Sequence, residues 1–120
     1  MCKSVNNFLF LGNALLIIHI FFNLISDALY FISVAGKGEI YIWIESDKKY
    51  NKVYFKDTGK GIKKEELPYV FSKFFSKRQH GTGLGLNFCK KVMIGVDGNI
   101  TCTSLENVYT TFCLYFPNIK

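Results

Sequence analysis

The chain's apolar positions change period several times along its length, and each change marks an element. Val5 to Leu11 is a short apolar run that reads as a strand, and Gly12-Asn13 interrupts it. Asn13 is a suitable helix cap, because its side-chain oxygen can accept one of the first unpaired helical amides. From Ala14 to about Ser33, Leu16, His19, Ile20, Asn23, Asp27 and Tyr30 recur at three- and four-residue steps, which predicts a helix. Asn23 and Asp27 are four apart and share one face of it. After Gly36-Lys37-Gly38, Ile40, Ile42 and Ile44 alternate with Tyr41 and Trp43, the pattern of a strand with both faces partly covered. Val53, Phe55 and Asp57 alternate on a second strand, and a polar turn over 46–51 makes the two a hairpin.

Residues 63–75 suggest a short helix around Pro68, and Thr82 to about Ile94 a longer one. Ile100–Ser104 and Tyr109–Phe116 close the chain as two strands around a turn at Glu106-Asn107. The order is β-α-β-β-(short α)-α-β-β. It predicts an α/β (α+β) two-layer sandwich, with helices on one face of a mixed sheet. The segment 1–11 stands apart as a strand or remnant, and 12–120 forms the domain.

Composition supports one packed domain. Of 120 residues, 12 are Phe and 7 are Tyr, a load that favours a core over disorder. The net charge is +6, but the lysines are spread along the chain as pairs at most, with no Arg-rich arm, so no nucleic-acid partner is expected. Cys2, Cys89, Cys102 and Cys113 form no metal-finger spacing and read as free thiols of a reducing compartment. Residues 8–26 carry no charge, a length that could span a bilayer. Asn13, His19, Asn23 and Ser26 interrupt the run, and Asp27 follows it.

Three features carry candidate chemistry. Asp57-Thr58-Gly59-Lys60-Gly61 puts a carboxylate at a strand end, before glycines that let a backbone come close to a flat ring. Gly81-Thr82-Gly83-Leu84-Gly85 opens a helix, where backbone amides and the helix dipole attract anions. Asn23 and Asp27 put two oxygen-bearing groups on an otherwise apolar helix, a set suited to Mg²⁺ held against phosphates. Each has a plain alternative: a surface turn, a glycine turn, and a buried polar pair.

Together these features resemble the histidine kinase catalytic domain of the gyrase, chaperone, histidine kinase and mismatch-repair ATPase superfamily, whose ATP-binding architecture is the Bergerat fold. Gly12-Asn13 and the run from Ile18 to Leu29 resemble its asparagine box, and Asp57 to Ile62 its first glycine box. Leu67 to Phe75 resembles its phenylalanine box, and His80 to Leu86 its second glycine box. The resemblance covers about residues 12–116. It looks closest to hybrid sensor kinases of the quorum-sensing kind.

The resemblance implies ATP and Mg²⁺ as ligands. Asp57 would accept from the adenine amine, and Gly59 and Gly61 would admit the ring. Gly81, Thr82, Gly83, Leu84 and Gly85 would meet the phosphates and hinge a lid between Ile62 and His80, which Phe71 and Phe74 would anchor. Asn23 would line the phosphate pocket as the catalytic residue, and Asp27 would hold the metal. Hydrolysing relatives carry a glutamate where Asn23 stands; an amide cannot take a proton from water, which reserves the γ-phosphate for transfer.

Two departures stand out: Asp27 occupies a position that is usually asparagine, and Tyr30 one that is often a phosphate-facing lysine. Only eleven residues precede Gly12, so an N-terminally truncated domain is expected. The phosphoacceptor histidine would then lie on a separate domain in trans, with a response regulator further along. The expected location is cytoplasmic, with a membrane reached only through a partner. A nucleotide-binding fragment without transfer activity, and a membrane-anchored remnant, are the alternatives.

Overall fold

The computed structural model describes residues 2–72 and 85–118, with side chains from Ala14 onward. The chain starts with helix α1 (Cys2–Ala35), followed by strands β1 (Ile40–Ser46) and β2 (Tyr50–Asp57). A single 3₁₀ turn (Leu67–Tyr69), helix α2 (Leu86–Gly95) and strands β3 (Asn99–Leu105) and β4 (Tyr109–Pro117) complete it.

The first strand expected from the sequence does not form: 5–11 is helical, and α1 runs through Gly12-Asn13 without a break. A short apolar run cannot be assigned by periodicity alone. One glycine weakens a helix by only about 1 kcal/mol, little against a helix this long. Asn13 therefore lies inside α1 and not at its start.

The sheet has the order β1-β2-β4-β3, and every neighbouring pair is antiparallel, not mixed. The crossover through α2 returns β3 in the same direction as β2. β4 then inserts between them, so no parallel pair is hydrogen-bonded. The helix expected over 63–75 reduces to the turn at Leu67–Tyr69 within the described residues, with Pro68 in its first positions.

The core lies between the helices and one sheet face. Ile20, Leu24, Ala28 and Phe31 of α1 meet Phe55 of β2, Ile100 of β3, and Phe112 and Leu114 of β4. Leu86, Cys89 and Met93 of α2 close it. Phe21 packs edge-on against Phe55, with ring centres 5.1 Å apart. Ala14–Ala35 is long and apolar enough to cross a membrane, yet its inner side supplies part of this core. β1 departs from expectation. Ile42 is 50% and Ile44 69% exposed, because α1 lies over β2 and leaves β1 bare on the helix side.

Candidate functional site

The site forms where the end of β2, the inner face of α1 and the start of α2 meet. Asp57 ends β2 and is only 2% exposed. Its Oδ1 accepts the amide of Gly59 at 2.9 Å. Burial pushes its carboxyl up to about 6; the Gly59 hydrogen bond works against this, and the nearby charge of Asp27 adds to it. The carboxylate has a second oxygen with which to accept from a ligand amine.

Asp27 is 3% exposed on α1. Its charge reaches three elements: it raises Asp57 on β2, Cys89 on α2 and Cys102 on β3. Asp27 therefore faces the space these elements share. Asn23, one turn earlier, donates from Nδ2 to Cys89 Sγ at 3.6 Å. That contact ties α1 to the first turns of α2, beside the edge-on pair His19–Phe88 at 5.7 Å. Burial, above all, pushes the Cys89 and Cys102 thiols up to about 12, so both stay protonated and unreactive.

The first glycine loop is shaped by the protein's own backbone. A Cβ on Gly59 would come 2.6 Å from the Phe31 carbonyl, and the Lys60 amide donates to that carbonyl at 3.1 Å. Gly61 has φ +72°, and a Cβ there would come 2.4 Å from the Leu105 carbonyl oxygen. The loop thus threads between α1 and the β3–β4 turn, where the Asn107 amide donates to the Lys60 carbonyl. At both positions the structure shows an approach of backbone to backbone. Its effect is to fix Asp57.

Of the second glycine loop, Gly81, Thr82, Gly83 and Leu84 lie outside the described residues, as do Phe74 and His80. Gly85 is the residue before α2; its φ of −104° is open to any residue, and among the described residues a Cβ on it would meet nothing within 4 Å. Phe71 is partly buried against the core. Its ring lies 6.3 Å from Phe112, its carbonyl accepts from Asn87 Nδ2 at 3.0 Å, and Lys90 Nζ sits 5.0 Å above it. Tyr30 is half-buried, with its ring 5.8 Å from Phe31.

Sequence reasoning missed a polar brace beneath the site. Thr110, fully buried, is paired in register with Asp57. Its hydroxyl lies 3.0 Å from Ser104 Oγ, which donates to the Tyr109 carbonyl and accepts the Ile62 amide at 2.8 Å. The signal was available: Thr110 has the same parity on its strand as the inward Phe112 and Leu114.

Among the described residues no three His, Cys, Asp or Glu side chains converge on a metal position. One buried carboxylate at Asp27 suits Mg²⁺, which takes one or two protein ligands and completes its shell with phosphate oxygens and water.

A buried acceptor at a strand end, a carboxylate and an amide on one helix face, and a glycine before a second helix lie together in a fold of the histidine kinase catalytic type. The sequence profile of the histidine kinase-, DNA gyrase B- and HSP90-like ATPases matches residues 12–120, and the chain belongs to that family. It is 37% identical over 99 residues to the autoinducer 1 sensor kinase/phosphatase LuxN of Vibrio campbellii, an alignment covering 82% of this chain and 12% of that protein. It is 36% identical over 109 residues to the CAI-1 autoinducer sensor kinase/phosphatase CqsS of Vibrio cholerae, covering 90% of this chain and 16% of that protein. The chain thus spans a small part of these relatives. The catalytic domain of the histidine kinase ThkA superposes with a TM-score of 0.71 at 29% identity, over 85% of this chain and 67% of that one. The fold and the ATP-binding assignment are those of a histidine kinase catalytic domain.

Proposed function

We propose that this chain binds ATP with Mg²⁺ and passes the γ-phosphate to a histidine on a separate domain or partner, within a two-component relay. The observation that carries the reading is the convergence of Asp57, Asp27 and Asn23 from two elements onto one buried region beside the start of α2. Asp57 accepts from the adenine amine, and the rigid 57–62 loop holds it there. Asn23 lines the phosphate end. It cannot act as a base toward water, so transfer is favoured over hydrolysis. Asp27 holds the metal, whose charge offsets that of the phosphates; catalysis then rests on positioning and electrostatics. Backbone amides at 81–85 meet the phosphates. The named relatives sense autoinducers, which supports a place in quorum-sensing signalling, with a response regulator downstream. Dependence on ATP supports a cytoplasmic location, with membrane contact only through a partner.

The test has two stages. Calorimetric titration with ATP and ADP, with and without Mg²⁺, should show magnesium-dependent binding. Incubation with a histidine-bearing acceptor domain and γ-labelled ATP should then label the acceptor. A folded chain that binds no nucleotide sinks the reading. Binding without transfer to any supplied acceptor favours a second reading, a nucleotide-binding module without transfer activity. Asp27 supports that second reading, since its charge stands beside a triphosphate where related sites usually have a neutral amide.

A further inference from the structure

Cys89 sits where the two helices of the site meet. It is fully buried, in a row with Leu86 and Met93 on the inner face of α2. A cysteine in such a row ordinarily acts as a small apolar core residue. One contact sets this one apart: its Sγ accepts from Asn23 Nδ2 on α1 at 3.6 Å. Its amide meanwhile donates to the carbonyl of Gly85, the glycine before α2, at 3.2 Å. Cys89 thus links Asn23 to the opening turn of α2, the two parts that the ATP-binding reading puts at the phosphates. With its thiol pushed up to about 12, above all by burial, the sulfur stays neutral and brings no negative charge to that end of the site.

A carboxamide has two unlike ends. The nitrogen only donates and the oxygen only accepts. Turning the group over exchanges donor for acceptor at every point it faces. Contact with the sulfur holds Nδ2 toward α2 and thereby fixes Oδ1 on the other branch. Oδ1 is the end of the amide that a hard cation can use. An apolar side chain at position 89 would lack the acceptor that tells the two orientations apart.

We propose that Cys89 is a positioning residue for Asn23, its sulfur fixing which end of the amide faces the phosphates and metal. This role, which rests on the ATP-binding reading above, is exerted through Asn23 and not on the nucleotide itself.

Calorimetry on the full chain separates it from a packing role. Cys89→Ala removes the acceptor and should weaken Mg·ATP binding about tenfold. Adenosine, which has no phosphates, should bind as it does to the parent. Cys89→Ser shrinks the side chain almost as much but keeps an acceptor, and should recover most of the loss. In an Asn23→Ala background, Cys89→Ala should have no further effect on Mg·ATP, because the residue it acts through is gone. Without any nucleotide, the Asn23 side-chain amide protons should exchange with water faster in Cys89→Ala than in the parent or in Cys89→Ser. Cys89→Val, which fills the space without an acceptor, gives the same comparison if Cys89→Ala does not fold. Equal losses for Mg·ATP and adenosine, equal losses for Cys89→Ala and Cys89→Ser, or a loss that adds to that of Asn23→Ala each make Cys89 a core residue only and overturn the proposal. A parent that binds Mg·ATP, with variants that bind it as tightly, overturns the proposal and leaves the ATP-binding reading standing. A folded parent that binds no nucleotide overturns both.

Discussion

The glycines at 59 and 61 and the glycine at 85 belong to two loops that look alike in sequence and do different work. At Gly59 and Gly61 a methyl group would run into backbone, of Phe31 in one case and Leu105 in the other. At Gly85 it would meet no described residue, with φ in an ordinary region. The first pair is required by the fold. Whatever requires a glycine at 85 has to come from outside the described protein, and a phosphate brought against the helix N-terminus is the fitting candidate. A glycine motif alone does not say which kind of requirement it records.

The sharpest way to break this contrast is Gly61→Ala. The left-handed φ of +72° and the 2.4 Å approach to Leu105 combine strain with overpacking, for a loss of about 3 kcal/mol or more. Urea denaturation should show it directly. A variant as stable as the parent means that the loop is not wedged between α1 and the β3–β4 turn.

Next in size is the effect of Asp57. Its folded pKa of about 6 lies above the ordinary 3.8. The folded protein therefore holds a proton that the unfolded chain has released between those values. The unliganded domain should lose stability as pH rises from about 4 to 6, by about 3 kcal/mol at most. Asp57→Asn should flatten that slope in pH-dependent denaturation. ATP affinity should move the other way and strengthen from pH 5 to 7, because the ionised carboxylate is the better acceptor for the adenine amine. Asp57→Ala should abolish binding altogether; an unchanged affinity would remove Asp57 from the adenine site.

These expectations also show what could be read without coordinates. The hairpin β1–β2, both closing strands and the placement of Asp57 at a strand end were legible, because each follows from strict alternation ended by turn residues. The helical face of Asn23 and Asp27 was legible from spacing alone. What could not be read depended on contacts distant in sequence. The 5–11 run has no period to separate strand from helix. The exposure of Ile42 and Ile44 depends on where α1 comes to lie. The sheet is all-antiparallel because β4 inserts beside β2, which no local pattern encodes. The inward side of Thr110 was legible from strand parity, but its pairing with Ser104 as a brace became visible only once the register placed both beneath the loop.

Asp27 offers a smaller and two-sided test. Asp27→Asn removes a charge that raises Asp57, Cys89 and Cys102. If the carboxylate only adds charge next to the triphosphate, Mg·ATP affinity should hold or rise by up to about tenfold in calorimetry. A large loss, with the ADP complex losing its response to Mg²⁺ as well, would identify the carboxylate as the metal ligand in use. Either way the Asp57 transition should move to lower pH, an effect that tests the closeness of the two carboxylates independently of any nucleotide.

The smallest effect on the fold should come from Gly85→Ala, and for that reason it separates the two loops most cleanly. At a helix N-cap glycine ranks above alanine, so the substitution should cost less than about 1 kcal/mol in urea. No described residue stands within 4 Å of the new methyl group. If phosphate oxygens come against this backbone, the same methyl group lies in their path, and ATP affinity should fall by about tenfold or more while adenosine, which has no phosphates, binds as before. Equal losses for ATP and adenosine would mean that the change acts through α2 as a whole. No loss for either would mean that Gly85 borders the site without touching the phosphates, and the contrast between the two loops would then rest on the residues before it.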